Sequence, residues 1–507
     1  MTVWPLQAVL NLDYSNDIMR RIILFVLALM TVAPVISQDE VRIRSCRPGL
    51  ENARHTAFRA SAQKRTNRVA ANPYTGDRRQ LVVLAAFADK GFLGDSTQTL
   101  TQWNKIFNTK YLSEDSFYGS VYDYFVDQSY GQFRITFDLH YATVDSMIKY
   151  HSTKIDDENS RFLVQDVAQL LDNKIDDWAP YDWDGDGYVD QLLIIYAGKG
   201  LQNGGNDSTI WAHQWWMSEH DDSEPVKVNG ADKEYFIDSY CCTQELSGKG
   251  DYGSFGTLCH EYSHCFGLPD FYYGSSCIVG SWDLMDNGNY NGDGFRPCGY
   301  SAFERAFMGW LTPEELTGKT SVDGLPALST QPKAYIVRND GHPDEYYVIE
   351  NRQKIGWDEK LPGSGILIFH VDYDDYIFRH AMPNERVKRY TIIPANNKTI
   401  VNNNNIKGWA YPNNGNNSLT NTSEPAAELN NMNTDSTLFM NKPITGMAVV
   451  SSMAQFKFCY PIENGMVPAT EEPAKDHGWF TIDGRQLLAP PTGKGIYIHD
   501  GKLLLIK

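Results

Sequence analysis

Between residues 80 and 200 the chain switches repeatedly between two hydrophobic patterns. QLVVLAAFAD (80–89) is continuously apolar up to its closing aspartate, which predicts a strand buried on both faces. VYDYFVDQSYG follows Ser120 with Asp123 three residues on, the capping-box spacing of a short helix that Gly131 then ends. FRITFDLHY alternates apolar and polar positions as a strand does, DENSRFLVQDVAQLLDN (157–173) has helical spacing, and QLLIIYAG (191–198) is again continuously apolar. Strand, helix, strand, helix and strand in this order predict an α/β layer. Beyond residue 320 the pattern turns to strands, in AYIVR, EYYVIENRQ and GILIFHVDY. VNNNNIKGWAYPNNGNNSLTNTS is expected to form a long surface loop, with low-complexity disorder as the alternative. NGMVPATEEPAKDHG (464–478) reads as a linker to a small C-terminal module of short strands.

Composition narrows the function classes. A net charge of -18 over 507 residues argues against a nucleic-acid partner, because phosphate contacts are made by Lys and Arg. From Met19, MRRIILFVLALMTVAPVISQDE has the plan of a secretory signal peptide. Arg20 and Arg21 are its basic region, 22–33 its apolar core, and Val35-Ile36-Ser37 a cleavage site before Gln38. The two aspartates of the preceding MTVWPLQAVLNLDYSND suit no such basic region, so the true start is expected at Met19. The apolar run falls short of the about 20 residues a membrane span needs, and a retained anchor helix is the alternative. The expectation is a secreted or surface-associated protein with no membrane insertion after cleavage. Residues 38–79, polar and basic, read as a short pro-segment or N-terminal extension. Arg65, Arg68 and Arg79 are its expected cutting sites.

The chemistry concentrates in CHEYSHCFGLPDFY (259–272). On a helix, residues four apart share a face, so His260 and His264 can present ring nitrogens to one metal ion at about 2.1 Å. Glu261 sits about 100° round the helix, within reach of a metal-bound water as general base. Gly267 permits a sharp reversal, and Asp270 follows closely enough to supply a third, oxygen ligand. Three protein ligands leave a fourth position open, the mark of a catalytic zinc. A later glutamate, Glu304 in SAFERAFMGW, is the competing third ligand. The plainer alternative is two hydrogen-bonded histidines on a polar helix face.

HEYSHCFGLPDFY, GSWDLMDNGNYNG and SAFERAFMGWL together resemble the M6 family of secreted bacterial zinc metallopeptidases of the immune-inhibitor-A type, and the likeness extends over roughly residues 78–460. The resemblance implies a metzincin-like α/β zincin catalytic domain, with His260, His264 and Asp270 as zinc ligands and Glu261 as general base. It also implies a Met-turn at Met285, packing beneath the metal. Some related peptidases place an oxyanion-assisting Tyr two residues after that Met. Here the position is Asn287, and Tyr290 is the substitute candidate. With the readings above, the expected organisation is a signal peptide (1–37), short pro-segment or N-terminal extension (38–79), catalytic domain (80–320), β-rich continuation (321–460), linker (461–478) and small C-terminal β module (479–507). The implied activity is hydrolysis of protein or peptide substrates. A catalytically silent adhesin on the same scaffold and a zinc hydrolase of non-peptide amides are the competing functions.

Three further features leave alternatives open. YDWDGDGYVD spaces Asp182, Asp184, Asp186 and Asp190 like a calcium loop, but Leu193 stands where an EF-hand has Glu; a non-EF calcium loop or a plain acidic turn remain. Cys46, in RSCRPG, loosely resembles the cysteine latch of matrix metalloprotease precursors; a disulfide or an idle thiol fits as well. Eight cysteines in an exported chain permit disulfides, although Cys259 and Cys265, six apart on one helix, cannot pair with each other. The tail GWFTIDGRQLLAPPTGKGIYIHDGKLLLIK resembles C-terminal sorting segments of exported Bacteroidetes proteins, and an accessory β module is the alternative.

Overall fold

The computed structural model describes residues 74–460, apart from 115, 152–158, 206–208, 221, 254 and 275, and in addition 479–481, 487, 491–499 and 502–506. The chain divides into two units, Met1–Tyr460 and Pro461–Lys507. The signal peptide, Cys46 with most of the pro-segment, and the linker lie outside the described residues.

A five-stranded sheet forms the base of the first unit. Its strands are β1 (Gly76–Phe87), β2 (Phe133–Val144), β3 (Leu192–Lys199), β4 (His213–Trp216) and β5 (Ser239–Leu246), in the order β2-β1-β3-β5-β4. All pairings are parallel except β4, which runs antiparallel along β5. Central strands are covered on both faces, and so Leu81 to Ala85 and Leu192 to Ala197 are fully buried and read as unbroken apolar runs. On the edge, the first residues of β2 alternate between buried and exposed.

Helices α1 (Ser96–Asn108), α2 (Val121–Gln128) and α3 (Ser160–Asp172) complete the layer. At α2 the expected capping box is present, Asp123 N–H donating to Ser120 Oγ at 3.1 Å and Ser120 N–H to Asp123 Oδ2 at 2.9 Å. α1 is an addition to the predicted elements. It starts at a second box, in which Asp95 accepts from Thr97 and Gln98 N–H while Gln98 Oε1 accepts from Asp95 N–H.

The first strand begins at Gly76, four residues before the expected domain start at 80. Arg79 is therefore a strand residue, opposite Thr136 in the β1–β2 register and 2.7 Å from Asp138. Cutting there would remove the start of β1. Upstream, Tyr74 packs edge-on against Phe266 with centroids 4.9 Å apart, donates to Cys265 O at 3.1 Å and accepts from Trp310 Nε1 at 2.7 Å. A processing cut that leaves this fold intact lies upstream of Tyr74.

The β-rich half carries a second five-stranded sheet of β6 (Glu314–Glu315), β7 (Tyr335–Arg338), β8 (Glu345–Arg352), β9 (Gly365–Asp372) and β10 (Tyr390–Ile392), ordered β10-β9-β8-β7-β6. Alternate residues of β9 serve two cores. Leu367, Phe369 and Val371 join the core of the first sheet, whereas Ile366 and Ile368 join a separate cluster with Tyr347, Ile349 and Phe456. Packing is thus continuous across residue 320. The Asn-rich stretch is irregular, as expected, but it is not merely a surface loop. Ile406, Trp409, Tyr411 and Leu419 are buried, and Ile406 O accepts from Trp282 Nε1 at 3.0 Å. In the second unit, Phe480–Thr481, Gly495–His499 and Lys502–Ile506 form a small antiparallel sheet.

Glu345, at the start of β8, is fully buried and accepts from His370 Nε2 at 2.7 Å, Asn431 N–H at 3.0 Å and Asn339 Nδ2 at 3.0 Å. Burial alone would raise its pKa, but the His370, Asn430 and Asn339 donors hold it down at about 2. A depressed folded pKa contributes stability above the unfolded value, near 4.5, that is lost as pH falls towards 2. Glu345→Gln is therefore expected to cost roughly 2–3 kcal/mol at pH 7 and little at pH 2.5, measured by denaturant unfolding at both pH values. An equal cost at the two would contradict this assignment.

Candidate metal centre

Helix α4 (Gly256–Ser263) lies buried along its whole length and tightens into a 3-10 turn at His264–Phe266. Its first residue touches the chain opposite so closely that a Cβ on Gly256 would stand 1.9 Å from Asn289 O. Tyr262 hydroxyl donates to Gln80 Oε1 at 2.5 Å, and Gln80 Nε2 donates in turn to Gln191 O at 2.8 Å, which ties the helix to the sheet below. Phe125, Phe266 and Trp310 pack around the same end of the helix. Gly267 ends the turn at φ +86°, the left-handed conformation expected of it.

That reversal brings Asp270 back over the helix. Asp270 Oδ1 stands 3.1 Å from His260 Nε2 and 3.4 Å from His264 Nε2. A tetrahedron with bonds of 2.0–2.1 Å has edges of roughly 3.3–3.4 Å, so the three atoms are spaced as ligands of one zinc. Donor atoms of His260, Glu261 and His264 lie within 4.8 Å of one another. Backbone carbonyls fix the rings: His260 Nδ1 is 2.9 Å from Leu284 O, and His264 Nδ1 is 2.8 Å from Leu268 O. A carbonyl can only accept, so each Nδ1 carries a proton, which leaves Nε2 as the nitrogen that would ligate a metal once free of its own proton.

Asp270 Oδ1 is buried and accepts no well-directed hydrogen bond, an arrangement that costs free energy unless a cation completes it. Burial opposes charge on His260, yet the Asp270 carboxylate, with Glu261 nearby, lifts its pKa to about 9. Burial also works to raise Asp270, but His264 and His260 hold its carboxyl far below the usual range. The pocket favours positive charge between these groups, and a metal ion would replace the protons that otherwise supply it. The residues present fit zinc.

Met285 is fully buried. Its carbonyl accepts from Phe271 N–H at 2.9 Å, linking its turn to the segment that carries Asp270. Glu304, the competing ligand, caps helix α5 (Ala302–Phe307), with Oε2 accepting from Ser301 N–H at 2.6 Å, while its Oε1 is buried without a hydrogen-bond partner. Asn287 is buried and Tyr290 half-buried. Burial pushes the Cys259 thiol well up, which holds it as a neutral thiol. In the acidic loop, Asp182, Asp184 and Asp190 have oxygens within 4.8 Å of one another. Asp186 turns to accept from Tyr188 N–H at 2.7 Å, and Lys233 Nζ lies 3.2 Å from Asp182. Sequence reasoning missed Tyr272, whose ring stacks at 6.4 Å on His260, and it missed Asp283, Asn384 and Tyr390, which support the ligand segments.

Residues 77–311 match the family described as Immune inhibitor A peptidase M6, catalytic domain. That region is thus similar to the catalytic domain of the peptidase M6 family. Immune inhibitor A of Bacillus thuringiensis subsp. alesti is 28% identical over 153 residues, 27% of this chain and 22% of the relative. The pre-pro-metalloprotease PrtV of Vibrio cholerae serotype O1 (strain M66-2) is 22% identical over 455 residues, 83% of this chain and 43% of the relative. The chain thus spans less than half the length of either. Similarity to a metallopeptidase catalytic domain agrees with a centre whose side chains are spaced to hold a metal.

Any side chain at Gly267 must adopt its left-handed conformation. Gly267→Ala is expected to cost about 1–2 kcal/mol in denaturant unfolding and to weaken zinc binding by displacing Asp270. Unchanged stability and zinc affinity would contradict the role given to this turn.

Proposed function

We propose that this chain is a secreted zinc endopeptidase of the M6 type in which His260, His264 and Asp270 hold the metal and Glu261 is the general base. The observation that carries the reading is the convergence of Asp270 Oδ1 on both Nε2 atoms at 3.1 and 3.4 Å, with Glu261 next to His260 on the same helix. A zinc ion bound there supplies a Lewis acid and a water whose pKa is lowered towards 7. Glu261 takes the proton from the attacking water and returns it to the leaving amine nitrogen. The Leu284 and Leu268 carbonyls keep both imidazoles in the ligating tautomer throughout. No covalent intermediate with the protein is required.

A silent adhesin on the same scaffold is disfavoured, because the base and all three ligands are present. Among the described residues no helix is long and apolar enough to cross a membrane. The signal-peptide plan of residues 19–37 supports export. Denatured casein, as a mixture of accessible peptide bonds, is a suitable first substrate. Glu261→Gln is expected to lower kcat/KM on it by about 10²–10⁴-fold while zinc content stays near one per chain. Equal activity in both proteins would overturn the mechanism. Activity on small amides without casein cleavage would favour a non-peptide hydrolase.

For the acidic loop we propose calcium, held by Asp182, Asp184 and Asp190 ahead of β3 and supported by their convergence. Millimolar calcium is expected to raise the thermal midpoint of the wild type but not of Asp184→Ala. No effect on the wild type would leave the loop an acidic turn balanced by Lys233.

A further inference from the structure

The family match ends at residue 311, but the polar contacts that hold the ligand segments extend beyond it. Asn384 is 1% exposed, and its Nδ2 donates to Phe271 O, directly after Asp270, at 2.8 Å. The same amide locks onto β10, donating to Tyr390 O at 2.9 Å and accepting from Tyr390 N–H at 2.9 Å. The Tyr390 ring stacks on Phe271, with centroids 3.7 Å apart and planes at 20°. Its hydroxyl donates to Asp283 Oδ2 at 2.9 Å and contacts Ser301 Oγ at 2.9 Å.

Asp283 carries the connection into the centre. Its Oδ1 accepts from Met285 N–H at 2.8 Å, which fixes the turn whose Leu284 carbonyl faces His260 Nδ1 and whose Met285 carbonyl accepts from Phe271 N–H. Asp283 is fully buried. Burial pushes its carboxyl up to about 7, while donation from Tyr390 and Met285 favours the ionised acceptor. Removing the Tyr390 hydroxyl leaves Oδ2 of a buried carboxyl without that donor. The Phe271 carbonyl likewise depends on Asn384.

We propose that Asn384 and Tyr390 are positioning residues of the metal centre: from the β-rich half, Asn384 sets the Asp270 segment and Tyr390, through Asp283, sets the turn that orients His260. The inference rests on reading His260, His264 and Asp270 as zinc ligands. Partners that hydrogen-bond a ligand directly typically contribute about 10–100-fold to metal affinity or activity; Asn384 and Tyr390 act further out, through the backbone of the ligand segments, so the lower end of that range is expected.

The test is zinc affinity of the full chain, measured by competition with a chromophoric chelator, beside kcat, KM and the thermal midpoint. Tyr390→Phe keeps the ring stack and removes only the hydroxyl. It is expected to weaken zinc binding about tenfold and to lower kcat more than it raises KM. Asn384→Ala is expected to lose as much or more; if it fails to fold, Tyr390→Phe decides alone. Tyr347→Phe is the control, because that buried hydroxyl donates to Glu428 O at 2.6 Å in the second core, away from the ligand segments. It is expected to lower the thermal midpoint with zinc affinity unchanged. Tyr390→Phe binding zinc within twofold of wild type, whatever its thermal midpoint, would overturn the proposal while leaving the peptidase reading intact. A wild type that binds no zinc would overturn both.

Discussion

One carboxylate oxygen, Asp270 Oδ1, is held against two imidazole nitrogens in a place where water barely reaches. His260 is 5% exposed, and no well-directed hydrogen bond satisfies the oxygen. A charge desolvated in this way is expensive unless an opposite charge completes the group. The rest of the structure serves to keep the three atoms together despite that cost. Gly256 lets α4 press against Asn289, Tyr262 ties it to the sheet through Gln80, and Gly267 turns the chain back. The Leu268 and Leu284 carbonyls leave both Nε2 atoms facing Asp270.

That rigidity is shared between the two halves of the first unit. β9 divides its side chains between two cores, so the second sheet is a wall of the catalytic layer as well as a neighbour to it. Through Asn384 the same half reaches the Phe271 carbonyl, and through Tyr390 and Asp283 it reaches the turn at Met285. The centre is assembled from α4, the reversal after it, the turn at 283–285 and β10, elements drawn from well-separated parts of the sequence.

How much of this could be read from the residues follows from the range of the interactions. The i, i+4 histidines, Glu261 and Gly267 are local in origin, and helical geometry alone places them. β1 and β3 were legible because burial on both faces leaves an unbroken apolar run. α1 went unread although its signals are local: Asp95 and Gln98 have capping-box spacing, and Thr99, Trp103, Ile106 and Phe107 form its buried face. The start of β1 at Gly76 is polar, and only pairing with β2 makes it a strand. Asp186 fits a calcium spacing yet turns to cap Tyr188 N–H, a choice that spacing cannot reveal. Buried Trp409 and Tyr411 were hidden inside an asparagine-rich composition. Asn384 and Tyr390 carried no signal at all, since they act on residues about 110–120 positions earlier in the chain.

The most direct measurement is anomalous diffraction at the zinc edge from crystals of the zinc-loaded chain. The account predicts a single strong peak bounded by His260 Nε2, His264 Nε2 and an Asp270 carboxylate oxygen, each at about 2.0–2.2 Å, with the Glu261 carboxylate near the metal but outside its ligand set. A peak ligated by Glu304 or a cysteine, or Asp270 turned away from both histidines, would contradict it.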